Sequence, residues 1–256
     1  MATTKYKVES GVQLLARLIK KPVIKNFYSN LFQPGLKNDD VVEIFGNNSS
    51  VLLIDLITEA LLPNRFNAEP LGVLVFNTVG QLNYKELINV LKKKIVSSMN
   101  TNIDSGAEMD TFLHRSLDNL FILDIYDSTQ FYTTIHNLDN ILALHQNISL
   151  LICDTLTAFY WSEQGFKITK MDMYLKNLLR MIQKVSKEYK VILIYTRPEY
   201  FSSSKDSGNV GEVQITGVHY KVQLLHIAGA YQVTVRTTDL YYKKDMITID
   251  NEINWQ

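Results

Sequence analysis

One cysteine is all this 256-residue chain contains: Cys153, within the apolar run SLLICD. A lone thiol cannot form an intramolecular disulfide, and its setting reads as a buried core residue of a protein from a reducing compartment. There is no excess of either charge: 26 basic residues face 26 acidic ones. A general electrostatic affinity for nucleic acid is therefore not written in the net charge. The opening residues MATTKYKVESG lack an apolar signal core, and no run approaches the length of a membrane span. No membrane association is expected, and the expected location is cytosolic or nuclear. His114, His136 and His145 are too scattered for metal-ligand spacing, so no metal site is predicted. Neither an internal repeat nor a low-complexity tract is present beyond a serine-rich stretch near 202.

What is present is an alternation of strand and helix patterns. In residues 8–21, Val12, Leu15, Leu18 and Ile19 share one helical face, and Pro22, Pro34 and Gly35 then break the chain. Residues 1–40 are read as a lead-in packed on a core that spans 41–256. Within the core, strands are predicted at 41–46, 71–77, 120–126, 148–154 and 190–196, and helices at 51–62, 83–99, 128–145 and 171–189. Residues 101–110 read as a polar excursion loop. The tail turns to strands in QLLHIAG, YQVTVRT, DLYYKK and MITIDNEINW. Near-continuously apolar strands alternating with helices predict an α/β fold. Its central sheet is mostly parallel, with helices on both faces and antiparallel strands at the C-terminal edge. Ligands of such sheets bind at the carboxyl ends of strands, which singles out the turns after 46, 77, 126, 154 and 196.

The turn after 46 has the layout of a phosphate-binding loop without its chemistry. Such a loop reads GxxxxGK[ST]: backbone N–H groups cradle phosphates, the lysine neutralises them and the hydroxyl holds Mg²⁺. Here Gly46 opens the turn, Asn47, Asn48, Ser49 and Ser50 follow, and no Lys or Arg lies between Lys37 and Arg65. At full loop length, Val51, Leu52 and Leu53 take the places of Gly, Lys and Ser/Thr. With a three-residue deletion, Asn48, Ser49 and Ser50 take them, which preserves the helix up to Pro63 and leaves Ser50 as a hydroxyl ligand. The deletion is the preferred alignment, and under either the lysine is gone. Losing a cation that faces a polyphosphate costs on the order of several kcal/mol of binding.

The segment SLLICDTLTAFYW, at 149–161, has four apolar residues followed by an Asp154 able to organise Mg²⁺. With its continuation DTLTAFYW it resembles the RecA-type recombinases, most closely their small eukaryotic paralogues. ESGVQLLARL (9–18) resembles the N-terminal segment of such a paralogue, LVFNTVGQL (74–82) the strand that carries a catalytic carboxylate, and MITIDNEINW the closing hairpin. The resemblance covers nearly the whole chain. It implies a RecA-like P-loop ATPase core and work in homologous recombination and DNA double-strand break repair in the nucleus, mitotic or meiotic. The partner it implies is another RecA-type recombinase paralogue in a hetero-oligomer. Single-stranded DNA would be engaged through that complex.

The same resemblance exposes a second loss. Where recombinases carry a glutamate this chain has Val79, and Asn77 stands where an aspartate is usual. Valine cannot orient or deprotonate a water. No catalytic residue is therefore assigned, and no cofactor is expected. Weak ATP–Mg²⁺ binding through backbone N–H groups of the 46–50 turn, with Asp154, is left open. Asp154 otherwise caps its own turn, bonding the Thr155–Thr157 backbone. The segments matching DNA-contacting loops, 162–169 and 198–213, hold only Lys167 and Lys205 as cations, with Tyr200 and Phe201 able to stack on bases or to anchor the loop. Trp161 packs or joins an interface. Lys92, Lys93 and Lys94 suit a helix C-terminus, and Lys176, Arg180, Lys184 and Lys187 read as a solvated helix face. The expected function is a non-catalytic recombinase-paralogue subunit that helps load or stabilise the recombinase on single-stranded DNA. The alternative is a divergent DNA-dependent ATPase whose missing cation comes from a neighbouring subunit, Lys37 or Arg65.

Overall fold

The computed structural model describes residues 10–22, 24, 26–46, 48–62, 70–78, 80, 82–99, 106–164, 171–198, 217–227, 230–249 and 252–255. In chain order the elements are α1 (Gly11–Leu18), β1 (Val41–Gly46), α2 (Ser49–Leu61), β2 (Gly72–Asn77), α3 (Tyr84–Met99), α4 (Gly106–Leu117), β3 (Leu120–Asp124) and α5 (Ser128–Leu144). They continue with β4 (Ile148–Asp154), α6 (Tyr160–Gln164), α7 (Met171–Glu188), β5 (Ile192–Arg197), β6 (Tyr220–Ile227), β7 (Ala230–Arg236), β8 (Tyr241–Ile249) and β9 (Glu252–Trp255). One nine-stranded sheet runs β3-β2-β4-β5-β1-β6-β7-β8-β9. Pairing is parallel from β3 through β6 and antiparallel from β6 to β9. This is the α/β architecture that the strand and helix alternation predicted, in the RecA-like form that the resemblance implied.

Both faces of the central strands β1, β2, β4 and β5 are dry because successive strand residues point to opposite sides and most are apolar. Val73, Val75, Leu150, Ile152, Ile192 and Ile194 pack on one side with α2, α3 and the lead-in residues Ile24, Phe27, Leu31 and Phe32. Leu74, Phe76, Leu151, Cys153, Leu193 and Tyr195 pack on the other with α5, α7 and Ala16 of α1. Burial pushes the Cys153 thiol far up, so it is an inert core residue.

Several boundaries depart from the sequence pattern. Helix α4 begins at Gly106, inside the stretch expected to be loop, because Met109, Phe112 and Leu113 recur at helical spacing and pack on the α2–α3 side. Strand β3 stops at Asp124 rather than at 126. DLYYKK and MITID form one strand, β8, since nothing breaks the chain between Tyr241 and Ile249. Helix α1 is shorter than 8–21; Ile19 of its expected buried face is buried, but Leu15 and Leu18 are exposed and Ala16 is buried in their place. No described helix is long and apolar enough to cross a membrane.

Helix α2 is buried almost all round, polar residues included. Thr58 Oγ1 donates to Ile54 O at 2.8 Å. Asp55 accepts from the Tyr28 hydroxyl and pairs with Lys94 Nζ at 2.8 Å, and the same ammonium reaches Glu59 Oε2 at 3.1 Å. Lys94 is thus no solvated cation at a helix terminus: it reaches from α3 onto α2 and neutralises two buried acids. Burial and the neighbouring Asp55 carboxylate hold the Tyr28 phenol well above its ordinary value. A Lys94→Met variant keeps the stem and removes the cation shared by both carboxylates, so the urea midpoint should fall by the equivalent of about 3 kcal/mol. An unchanged midpoint would show that these acids find water.

Candidate nucleotide site at the carboxyl edge of the sheet

Gly46 closes β1 with φ +114° and pairs with Leu224 of β6. A Cβ built there would lie 2.1 Å from Leu224 O, so the position needs glycine for strand contact, whatever it once did for phosphate. Helix α2 begins at Ser49, leaving only residues 47 and 48 between strand and helix. Asn47 lies outside the described residues. Asn48 takes a left-handed conformation, φ 56°, and makes no side-chain bond to the helix end. Its Nδ2 donates instead to the Tyr231 hydroxyl on β7. Ser49 and Ser50 form the first turn of α2. The turn is short, lacks a cation and is tied sideways to the antiparallel strands.

Polar residues at or next to the ends of four neighbouring strands face the α2 side of the sheet: Asp124, Asn77, Asp154 and Thr196. They bond to one another in part, and Asp154 Oδ2 and Asn77 Oδ1 stay buried without a hydrogen-bond partner. Thr196 Oγ1 donates to Asp154 Oδ1 at 2.8 Å. Asp154 was expected to bond the backbone of 155–157; that backbone is occupied elsewhere. Thr155 N donates to Thr78 Oγ1 at 2.7 Å, and Thr78 Oγ1 donates to Thr155 O at 2.8 Å. Leu156 N donates to Thr196 O at 3.1 Å. Burial pushes the Asp154 carboxyl above the usual carboxylate range, and the Thr196 bond opposes it.

Asn77 Nδ2 donates to Asp124 Oδ1 at 2.6 Å and to the Tyr84 hydroxyl at 3.1 Å, and that hydroxyl donates to the same Asp124 oxygen at 2.7 Å. The amide explains why an acid is absent here: a second carboxylate would face Asp124 with no cation between them. Val79, Lys167, Tyr200, Phe201 and Lys205 lie outside the described residues. Glu163, in the first loop matched to DNA contact, accepts from Tyr132 at 3.1 Å and from Tyr174 at 3.4 Å, a packing role. Trp161 stacks edge-on against Tyr160 at 5.1 Å, partly buried in the core. Among the described residues, no group of three or more His, Cys, Asp or Glu is placed to hold a metal ion.

One polar centre escaped the sequence reading. Glu43, in the middle of β1, is fully buried. Its Oε1 accepts from Arg197 Nε at 2.6 Å and from the Tyr195 hydroxyl at 3.0 Å, and Lys221 Nζ lies 3.7 Å from Oε2. The Arg197 guanidinium also sits 4.5 Å above the Phe45 ring. The signal was available: a charged residue in the strand VVEIFG, inside a sheet covered on both faces, must have a partner. Glu43 points to the α5–α7 side, across the sheet from the Asp154 row, and its role is to bind three strands together.

The strand-end row yields a pH-dependent test. In an Asn77→Asp variant, the new carboxyl is buried beside Asp124, so its folded pKa rises above the unfolded value. The variant should therefore be destabilised at neutral pH, by about 2 kcal/mol, and should recover towards the parent as pH falls through the raised folded pKa. Urea melts across pH 4–8 read this; a constant difference at every pH would contradict it.

No protein-family model matches the chain. A curated comparison finds DNA repair protein XRCC2 of Mus musculus, 26% identical over 211 residues, covering 79% of this chain and 72% of that protein. The chain is thus distantly similar to this protein, and its mostly parallel sheet with antiparallel C-terminal strands agrees with the RecA-like fold that the similarity implies.

Proposed function

We propose that this chain is a non-catalytic subunit of a recombinase-paralogue complex, acting in the nucleus in DNA repair by homologous recombination. It docks on another RecA-type paralogue and supports recombinase assembly on single-stranded DNA. One observation supports the non-catalytic part: the two-residue turn after β1 holds no cation, and Asp154, Asn77 and Asp124 beside it each bond to a neighbouring strand, Asp154 through Oδ1 alone. The similarity to a DNA repair protein supports the setting.

The docking part has a physical candidate in β3, the edge strand beside β2. Asn119 O and Ile125 N bond to β2, so by alternation Leu120, Ile122 and Asp124 direct their backbone groups outward. An open groove of about 440 Å³ lies beside this edge, lined by Ile122, Asp124, Tyr126, Thr129 and Thr133. An added strand would satisfy the edge, and its side chains would enter the groove.

Two measurements test the reading. Thermal melts with millimolar ATP and Mg²⁺ should show no shift, and an Asp154→Asn variant should melt at or above the parent, since it removes a buried carboxylate. A nucleotide-induced shift that Asp154→Asn abolishes would instead support an ATPase completed by a neighbouring subunit. In co-expression with the recombinase paralogues of the same organism, one should co-purify, and Thr133→Arg should remove it without changing the melting temperature. A chain that stays alone beside every paralogue would overturn the adaptor reading.

A further inference from the structure

Helix α1 is fastened in place by polar contacts. Ser10 and Gln13 form a capping box at its start. At its end, Lys190 Nζ donates to the carbonyls of Arg17 and Ile19, 3.4 Å each, and Lys21 Nζ donates to Gln146 O at 2.7 Å. Ala16 and Ile19 face the core. This leaves Leu14, Leu15 and Leu18 pointing outward with 41%, 38% and 63% exposure. They lie at i, i+1 and i+4, one compact apolar triangle. Nothing about holding α1 requires leucine at these positions.

Helix α7 lies alongside, joined to α1 where Gln13 Nε2 meets Glu188 Oε1 at 3.4 Å. Its outer face carries Lys176, Arg180, Lys184 and Lys187, all exposed. At 100° per residue they fall within a stripe about 80° wide and about 16 Å long. None of them enters an ion pair among the described residues. In a chain of zero net charge, this is a local concentration of uncompensated cations. Exposed Met173, at 65%, continues the same stripe towards the N-terminus of α7.

We propose that the α1–α7 face is a docking surface for an acidic amphipathic helix of a partner protein. The leucine triangle takes the partner's apolar anchors at i, i+3 and i+4 spacing, and the α7 cations take a flanking row of carboxylates. Charge complementarity selects this occupant. A second copy of the chain would set cations against cations. A nucleic acid strand would use the cations but leave the leucines in water, and the ridge offers no aromatic side chain for a base to stack on. The surface is separate from the β3 edge, so it does not depend on the docking proposed there.

The test uses the full chain and a fluorescein-labelled synthetic helix with leucines at every third and fourth position and a flanking glutamate row. Anisotropy should show saturable binding that weakens as salt rises. Lys176→Glu with Lys184→Glu, and separately Leu14→Ser with Leu18→Ser, should each weaken it about tenfold or more. A peptide carrying lysines in place of the glutamates should bind the charge-reversed chain better than the parent. Unchanged melting temperatures of both variants keep loss of binding distinct from loss of fold. Equal binding of a scrambled peptide, or no effect of either variant pair, would overturn the proposal. So would binding only to a single-stranded oligonucleotide or to phosphatidylserine vesicles.

Discussion

The near-complete burial of α2 is the constraint on which the rest is built. This helix leaves the β1 turn and runs between the sheet, α3 and the lead-in, so it has almost no face left for water. A helix in that position must satisfy its polar residues internally. Asp55, Glu59 and Thr58 do so through Lys94, Tyr28 and the helix's own carbonyls. Tyr28 in turn packs edge-on against Trp255 at 5.9 Å, so the lead-in and the last strand close over the same helix. The helix works as the central beam of the core.

The carboxyl edge follows the same logic of internal satisfaction. Where charge and flexibility would serve chemistry, this chain has an amide, three threonines and a carboxylate held by a hydroxyl. Each answers a neighbour on the next strand. The row is therefore a seam between strands. That leaves the outer surfaces, the β3 edge and the α1–α7 face, as the parts with unmet valence.

The sequence made the parallel core legible because its strands are almost purely apolar and its long helices keep the 3.6 period. Helix α7 is the clearest case, with Leu175, Leu178, Leu179 and Ile182 all buried. The pattern misled where one face had to be chosen. Periodicity in α1 marked an apolar stripe, but of it the core took Ile19, with Ala16 added, and Leu15 and Leu18 stayed outside. It also missed α4, whose first residues are polar and whose apolar ones appear only after Gly106. Missing chemistry was easier to read than present chemistry: the absent lysine is a fact of the sequence, whereas the partners of Asp154, Asn77 and Glu43 come from strands brought together only by the sheet order.

Glu43 touches both halves of that order. Tyr195 and Arg197 reach it from β5, on the parallel side, and Lys221 approaches it from β6, where the antiparallel strands begin. Peeling β6 to β9 away would expose a carboxylate and arginine set that cannot remain dry without its cover. The two halves of the sheet are therefore coupled at β5, β1 and β6, whose amide protons should exchange together, while β8 and β9, largely half-buried or exposed at the free edge, should open more readily.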